Sequence, residues 1–472
     1  MQTPSARGPG VPIVHEFPAP SARGELVSAV TISPAYQRFA KYIHNSTWIV
    51  GEKVLGLGLA FIATVFVARY LGPESFGLLA YALSLASIFA AAGHMGLSGL
   101  VVRDIVKYPE LRGQTLGTTV VLKFAGLAFG YLGLVAYAYF FEGPKSIQYH
   151  LVLISGAALL LKPAEVFEFW FQAFVQARYV SLARMMSHIF SAGFRLLLVA
   201  LGATLVVFAL TPLLQGLVVA IVLWLFFRNK SPLPLSQLRF NWSRARSLVG
   251  QGWIVYLGSV LAMIYLKIDQ VMLRWLADPS ELGQYAVAAQ FSEALYFLPA
   301  AIVASVFPKL IELRQEAEQR FYVRLQQVFD LMFLAGLAVA MTLSLSAAWI
   351  VEVLFGDAYA GSAGILVIHV WSAIFVFMRA VVSKWILIEG ALYFSLLTQG
   401  LGAMANVGLN FLWIPQFGGV GAAYATLCSY AVASFLSLLI YERTRRVFWL
   451  MCVAMASPVR YPVMMLTRWK AP

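Results

Sequence analysis

The chain contains twelve runs of roughly twenty predominantly apolar residues, near 48–70, 76–102, 115–140, 148–173, 183–208, 210–227, 249–276, 283–307, 325–349, 363–383, 392–414 and 418–440. About 20 such residues carry a helix across the hydrocarbon core of a bilayer. Inside lipid the backbone must satisfy its own hydrogen bonds, which makes the helix the spanning element for runs of this length. Of the 472 residues, 61% are hydrophobic and 12% charged, where a soluble domain sits near about half and about a quarter. No water-soluble core of this size hides that excess. A cytosolic enzyme, a disordered chain and a secreted disulfide scaffold are excluded, and the expected fold class is an all-α polytopic membrane protein.

Cys428 and Cys452 both lie in apolar runs, so neither a disulfide framework nor a zinc site is expected. The net charge of +13 would suggest nucleic acid in a soluble protein. Here the basic residues fall in alternate loops, as the positive-inside bias requires. One set holds Arg103, Lys107 and Arg112, then Arg178 and Arg184, then the run from Arg228 to Arg246, then Lys309 to Arg324, and finally Arg443, Arg445 and Arg446. The opposite loops (LGPESFG, FEGPKS, LADPSELG, EVLFGDAYAGSAG and IPQFGG) hold Lys145 as their one basic residue. Both termini are therefore expected in the cytoplasm, and no nucleic-acid partner is expected.

The organisation expected is a disordered cytoplasmic tail over 1–41, rich in Pro, Ser, Ala and Gly, and a six-helix bundle over 42–227. A basic cytoplasmic linker over 228–247 leads to a second six-helix bundle over 248–441. A basic cytoplasmic or interfacial segment over 442–472 ends the chain; its apolar run Val447–Ala456 is too short to span. The two bundles repeat. Trp48-Ile49-Val50 recurs as Trp253-Ile254-Val255, and Arg69 recurs as Arg274. Leu71-Gly72-Pro73-Glu74-Ser75-Phe76-Gly77 parallels Leu276–Gly283 with one residue inserted, and Arg103 parallels Lys309. Six spans per half is an even number, so both halves enter from the same side and the repeat is parallel. The interface of such a repeat is where a substrate is expected.

At these residues a family resemblance appears. The stretch ARYLGPESFGLLAYALSL (Ala68–Leu85) resembles the first hairpin of the Wzx-type oligosaccharide/polysaccharide flippases, allied to multidrug-and-toxin extruders and lipid II flippases. YLKIDQVMLRWL and ELGQYAVAAQFSEALYFLPAAIVASVFPKL, within Tyr265–Leu310, resemble the seventh and eighth helices of that family. PAEVFEFWFQAF (Pro163–Phe174) and GGVGAAYATLCSY (Gly418–Tyr430) are similar to its fourth and twelfth. The resemblance implies two six-helix bundles around a central cavity. It also implies transport of a polyprenyl-pyrophosphate-linked oligosaccharide from the inner to the outer leaflet of a bacterial inner membrane, for surface polysaccharide such as O-antigen or exopolysaccharide, with a polysaccharide polymerase or other assembly protein as partner.

Charges inside the spans give the independent argument. Each ionised residue at a helix centre costs about 2.5–3.5 kcal/mol on insertion scales. Lys123 lies roughly 12 Å into the third span and Arg195 roughly 15 Å into the fifth. Lys267 and Asp269 lie deep in the seventh and Glu293 near the middle of the eighth. Such groups must line water, a ligand or each other. From Phe169 through Ile268 there is no Asp or Glu, so a surplus of fixed cations suits an anion, and pyrophosphate matches Arg forks and Lys ammonium groups.

The candidate pyrophosphate-binding residues are Lys123, Arg195, Lys267, Arg379 and Lys53; no catalytic or metal-ligating residue is expected. Lys267 shares a helical stripe with Gln270 and Arg274, a phosphate track, or else pairs with Glu293. Asp269 is, by the resemblance, a candidate for binding a coupling proton or sodium ion, with Glu293 beside it, or else pairs with Arg195. Lys53, Arg379 and Lys384 either serve the substrate or snorkel to headgroups. Glu165 and Glu168 are expected to pair with Lys162, Asp330 to be solvated, and His94, His188 and His369 to be packed or to relay protons. No G-x-x-x-x-G-K-[ST] or D-x-D occurs, so ion coupling replaces a nucleotide and no cofactor or enzymatic activity is expected. The alternatives are a multidrug exporter or a lipid II flippase of the same superfamily.

Overall fold

The computed structural model describes residues 34–461. The chain divides into a short unit, 1–44, and a main unit, 45–472. In the first, residues from Pro34 onward are helical, so the expected disordered tail is helical over its last residues, and 1–33 lie outside the described residues.

Every regular element among the described residues is helical. In the first half these are α1 (Pro34–Ala90), α2 (Leu97–Lys107), α3 (Arg112–Tyr137), α4 (Ile147–Gly156), α5 (Val166–Ala173), α6 (Ala177–Ala200), α7 (Leu205–Phe208) and α8 (Thr211–Lys230). In the second they are α9 (Trp242–Leu276), α10 (Pro279–Ala294), α11 (Phe297–Glu316), α12 (Glu318–Phe355), α13 (Gly361–His369), α14 (Ser372–Ile388), α15 (Leu392–Ser434) and α16 (Glu442–Met455).

Ten helical stretches among the described residues are long and apolar enough to cross a membrane. Two of them, His44–Lys107 with 64 residues and Tyr393–Leu439 with 47, are too long for one crossing. At 1.5 Å per residue they would reach about 96 and 70 Å against a core of about 30 Å. Each doubles back at a glycine. Gly72 has φ 72° and is followed by Pro73; Gly418 has φ 54° and follows Pro415. A left-handed φ is open to Gly without the Cβ clash, and Pro removes a helical donor beside it. The result, among the described residues, is twelve passes in two six-helix bundles. The fifth pass departs from expectation: it closes at Ala200 rather than running to 208, because Gly202, at φ 66°, ends the helix and the apolar run beyond it belongs to α7.

The parallel repeat is visible as a reciprocal contact. A Cβ on Gly77 would lie 2.5 Å from the carbonyl oxygen of Pro279, and one on Gly283 would fall on the carbonyl oxygen of Pro73. Pro73 and Pro279, and Gly77 and Gly283, are repeat equivalents, so the two hairpins meet about a local two-fold axis. We call this end the hairpin face and the opposite end, bearing residues 228–246, the linker face.

The apolar cores follow the same division. At the hairpin face one core unites both halves, with Phe76, Tyr81 and Leu85 packed among Leu273, Tyr285 and Tyr359. Toward the linker face there are two further cores, one around Leu116, Phe167 and Phe227 that also takes in Leu248 at the start of α9, and one around Phe321, Phe329 and Trp385. The linker is docked on the first half: its backbone at Gln237 and Arg239 closes on Gly113 and Gly117 of α3, and Arg244 pairs with buried Asp104 at 3.0 Å. α16 packs into the second core through Val447, Met451 and Ala454.

Candidate functional site

Between the halves lies a cavity of about 420 Å³. Its walls come from both limbs of α1, from α6, α7 and the start of α8, and from α9 and α10. Charged residues reach it at three points, Arg195, Lys267 and Glu293, and Gln270, Gln290 and Ser87 add neutral polar groups. Phe61, Phe76 and Phe208 supply apolar surface.

Arg195 stands half-buried on α6, with no ion pair or hydrogen bond among the described residues. Lys267, on α9, is held by Glu293 of α10, with Nζ donating to Oε2 at 2.8 Å. Both side chains are about one-quarter exposed, at 24% and 26%, so the pair faces the cavity. Of the two expectations for Lys267, the pair with Glu293 is what forms. The cavity thus holds two cations against one carboxylate.

Asp269 sits two residues from Lys267 and points elsewhere, since 100° per residue turns it about 200° around the helix. It is buried, at 2% exposure. Tyr285 OH donates to its Oδ2, Thr426 Oγ1 donates at 3.3 Å, and the backbone N–H of Gln270 donates to Oδ1 at 2.7 Å. Arg195 is not among its partners. The buried His369 ring and Tyr285 meet in a T-shaped contact, with centroids 5.6 Å apart. Asp269 therefore belongs to a polar core within the second half, behind the cavity wall.

The other candidates lie apart from the cavity lining. Lys123 is buried and donates to Glu165 at 3.2 Å across the first bundle, near the Phe169 ring. Lys53 is exposed, one turn before the cavity-lining Leu57. Arg379 lies in the second half, where it donates to Thr398 Oγ1 at 3.0 Å and to the carbonyl of Ala433 at 3.4 Å.

Several expected pairings are corrected. Glu165 takes Lys123 and Glu168 takes Arg184 at 2.8 Å, rather than both pairing with Lys162. His188, expected to be packed or to relay protons, meets Glu52 at 3.3 Å and lies against Gly56. Asp330 is buried rather than solvated, because α16 and the residues after it fold back and bring Arg460 and Tyr461 to its Oδ2.

Sequence reasoning missed the cavity's link across the halves, where Ser84 donates to Gln270 at 2.6 Å. Neutral polar residues in apolar helices are the only signal it carries. The hairpin end of the cavity is closed. Arg274 approaches Glu142 at 3.7 Å, Tyr81 OH donates to Glu142 at 2.5 Å, and Tyr137, Phe141 and Trp275 stack with centroids 4.9–6.2 Å apart. Arg274, on the Lys267 stripe, is thus part of a seal between halves.

Residues 42–314 match the family model described as polysaccharide biosynthesis protein. Among curated proteins, the chain is 26% identical over 419 residues to the probable flippase AglR of Haloferax volcanii, covering 84% of this chain and 83% of that protein. It is 23% identical over 328 residues to the putative O-antigen transporter of Shigella flexneri, covering 67% and 77%. Among solved structures, the fold is similar to that of the lipid II flippase MurJ in an inward closed conformation, with a TM-score of 0.63 at 14% identity, covering 91% of this chain and 94% of that one. It is equally similar, at a TM-score of 0.63 and 15% identity, to an inward-facing multidrug resistance MATE family transporter of the MOP superfamily, covering 83% and 94%.

Proposed function

The chain belongs to the polysaccharide biosynthesis protein family, and on that premise we propose that it is a flippase for a polyprenyl-pyrophosphate-linked oligosaccharide. The cargo moves from the cytoplasmic to the outer leaflet of a bacterial inner membrane, with the linker face and both termini cytoplasmic. The names of the relatives support a flippase of a lipid-linked glycan. The observation that carries the choice of cargo is Arg195, a cavity-facing guanidinium without a carboxylate. A buried cation is costly unless paired, and a pyrophosphate offers the bidentate acceptor that a guanidinium fits.

In this reading the head group enters between the halves, takes Arg195, and competes with Glu293 for Lys267. The lipid tail stays in the bilayer. One bundle rocks on the other about the local two-fold axis, the seal at Arg274–Glu142 opens, and the linker side closes. Asp269 and Glu293 are the candidate acids for a coupling proton or sodium ion. Asp269 is supported by its enclosure with Tyr285 and Thr426, which shields it from the head group. No catalytic residue is assigned. A drug exporter, the alternative, would carry cations, and a cavity with Arg195 and Lys267 against Glu293 favours an anion instead.

The test is equilibrium binding of a short-chain polyprenyl-pyrophosphate sugar to the purified protein, with a cationic drug as comparison. The pyrophosphate lipid should bind and lose affinity in Arg195→Ala and Lys267→Ala. Binding of the drug alone would reverse the assignment.

A further inference from the structure

A second built hollow lies at the linker face, away from the central cavity. α11 ends at Glu316 and α12 begins at Glu318, and the joint residue Ala317 is extended, with φ −157° and ψ 106°. The two helices leave it at an angle and enclose a groove of about 480 Å³. Lys309 and Leu313 line it from α11; Arg320, Val323, Arg324 and Gln327 line it from α12. Positions 320, 324 and 327 share one helical face, as do 309 and 313.

The charge in this groove is one-sided. Arg320 is exposed and has no ion pair or hydrogen bond among the described residues. Arg324 is held by a neutral group, Gln327, at 2.8 Å. Glu312 balances Lys309 at 2.9 Å, and Glu318 is taken by Arg446 at 2.9 Å. Two guanidinium groups one turn apart are left to face the groove, a spacing that suits a phosphate.

The depth of the groove decides what fills it. α12 has 38 residues, about 57 Å of helix. Its far end carries Trp349, 66% exposed, as expected of a ring at the membrane boundary. Counting about 20 residues back from Trp349 for the hydrocarbon core reaches about residue 329. Residues 324–327 therefore lie within about 8 Å of that boundary, at headgroup depth, and Arg320 follows about 6 Å beyond them. Val323, 57% exposed, and Leu313 give the groove an apolar floor.

We propose that this corner binds the phosphate of an anionic phospholipid in the linker-side leaflet, with Arg320 and Arg324 on the phosphate and Val323 and Leu313 against the apolar faces of the lipid's glycerol region. The site is independent of the cargo assigned to the central cavity.

The test is native mass spectrometry of the full chain released from detergent with phosphatidylglycerol or phosphatidylcholine added. Wild type should retain phosphatidylglycerol in preference to phosphatidylcholine. Each basic residue near an anionic surface contributes about fivefold to binding, so Arg320→Gln with Arg324→Gln should weaken the first-bound phosphatidylglycerol by about twenty-five-fold. The control Arg443→Gln with Arg445→Gln, equally basic and exposed but outside the groove, should retain it, as should Arg320→Lys with Arg324→Lys. Retention by the double Gln variant, equal loss in the Arg443/Arg445 control, or no preference over phosphatidylcholine in wild type would each overturn the proposal.

Discussion

Replacing Glu293 by Gln separates two roles for the cavity. In wild type the Glu293 carboxylate holds Lys267 at 2.8 Å, so an arriving pyrophosphate meets a negative charge competing for the same ammonium. At about 6 Å and an effective dielectric of about 20, one unit charge repels another by about 2.8 kcal/mol. The pair is about one-quarter exposed, and solvent screening takes away about half of that gain, leaving about 1.4 kcal/mol. The prediction is that Glu293→Gln binds a polyprenyl-pyrophosphate sugar about tenfold more tightly, since about 1.4 kcal/mol is a factor of ten. Lys267→Ala should act in the opposite direction, because it removes a cation and leaves Glu293 without its partner. Isothermal titration calorimetry on purified protein in one detergent and at one salt concentration reads both. Weaker binding by Glu293→Gln would mean that the carboxylate contacts the ligand directly, and the competition argument would be refuted.

Other consequences follow from the packing. In Gly283→Ala the new methyl would strike the Pro73 carbonyl, so the hairpin face should no longer close; a cysteine placed at Ser84 should become accessible to a membrane-impermeant thiol reagent from that face, where it is protected in wild type. Asp330→Asn leaves Arg460 and Tyr461 without their shared charged acceptor. It should cost about 1–3 kcal/mol, seen as a lower melting temperature and faster proteolytic release of the C-terminal segment.

The membrane architecture was largely legible because bilayer insertion imposes a strong local rule, about 20 apolar residues per crossing. The hairpin repeat was legible too, since a Pro-x-x-x-Gly, Pro73 to Gly77 and Pro279 to Gly283, stands at each turn. The partners of the charges were not. Lys267 and Glu293 are 26 residues apart on different helices, and whether they meet depends on how each helix is rotated, which apolar periodicity in an all-apolar span does not record. Lys123 illustrates the same point: its depth was readable, its enclosure by Glu165 was not. Asp330 was misjudged for another reason. Its own span suggested a solvated end, and the covering residues, Arg460 and Tyr461, lie 130 positions later in the chain. The acid-free stretch from Phe169 to Ile268 did not decide pairing either: Arg184, Arg244 and Lys267, all within it, take carboxylates from outside, while Arg195 has no ion pair among the described residues.

The most direct test is leaflet-to-leaflet movement itself. Proteoliposomes carrying wild type, Arg195→Ala or Arg195→Lys would be loaded with a fluorescent polyprenyl-pyrophosphate sugar, and the fraction reaching the outer leaflet measured by quenching. The account predicts rapid transfer by wild type, loss of at least about tenfold in Arg195→Ala, as expected for removing a charge-assisted bond of about 1.5–3 kcal/mol, and partial recovery with Lys. Transfer by Arg195→Ala at the wild-type rate would contradict it.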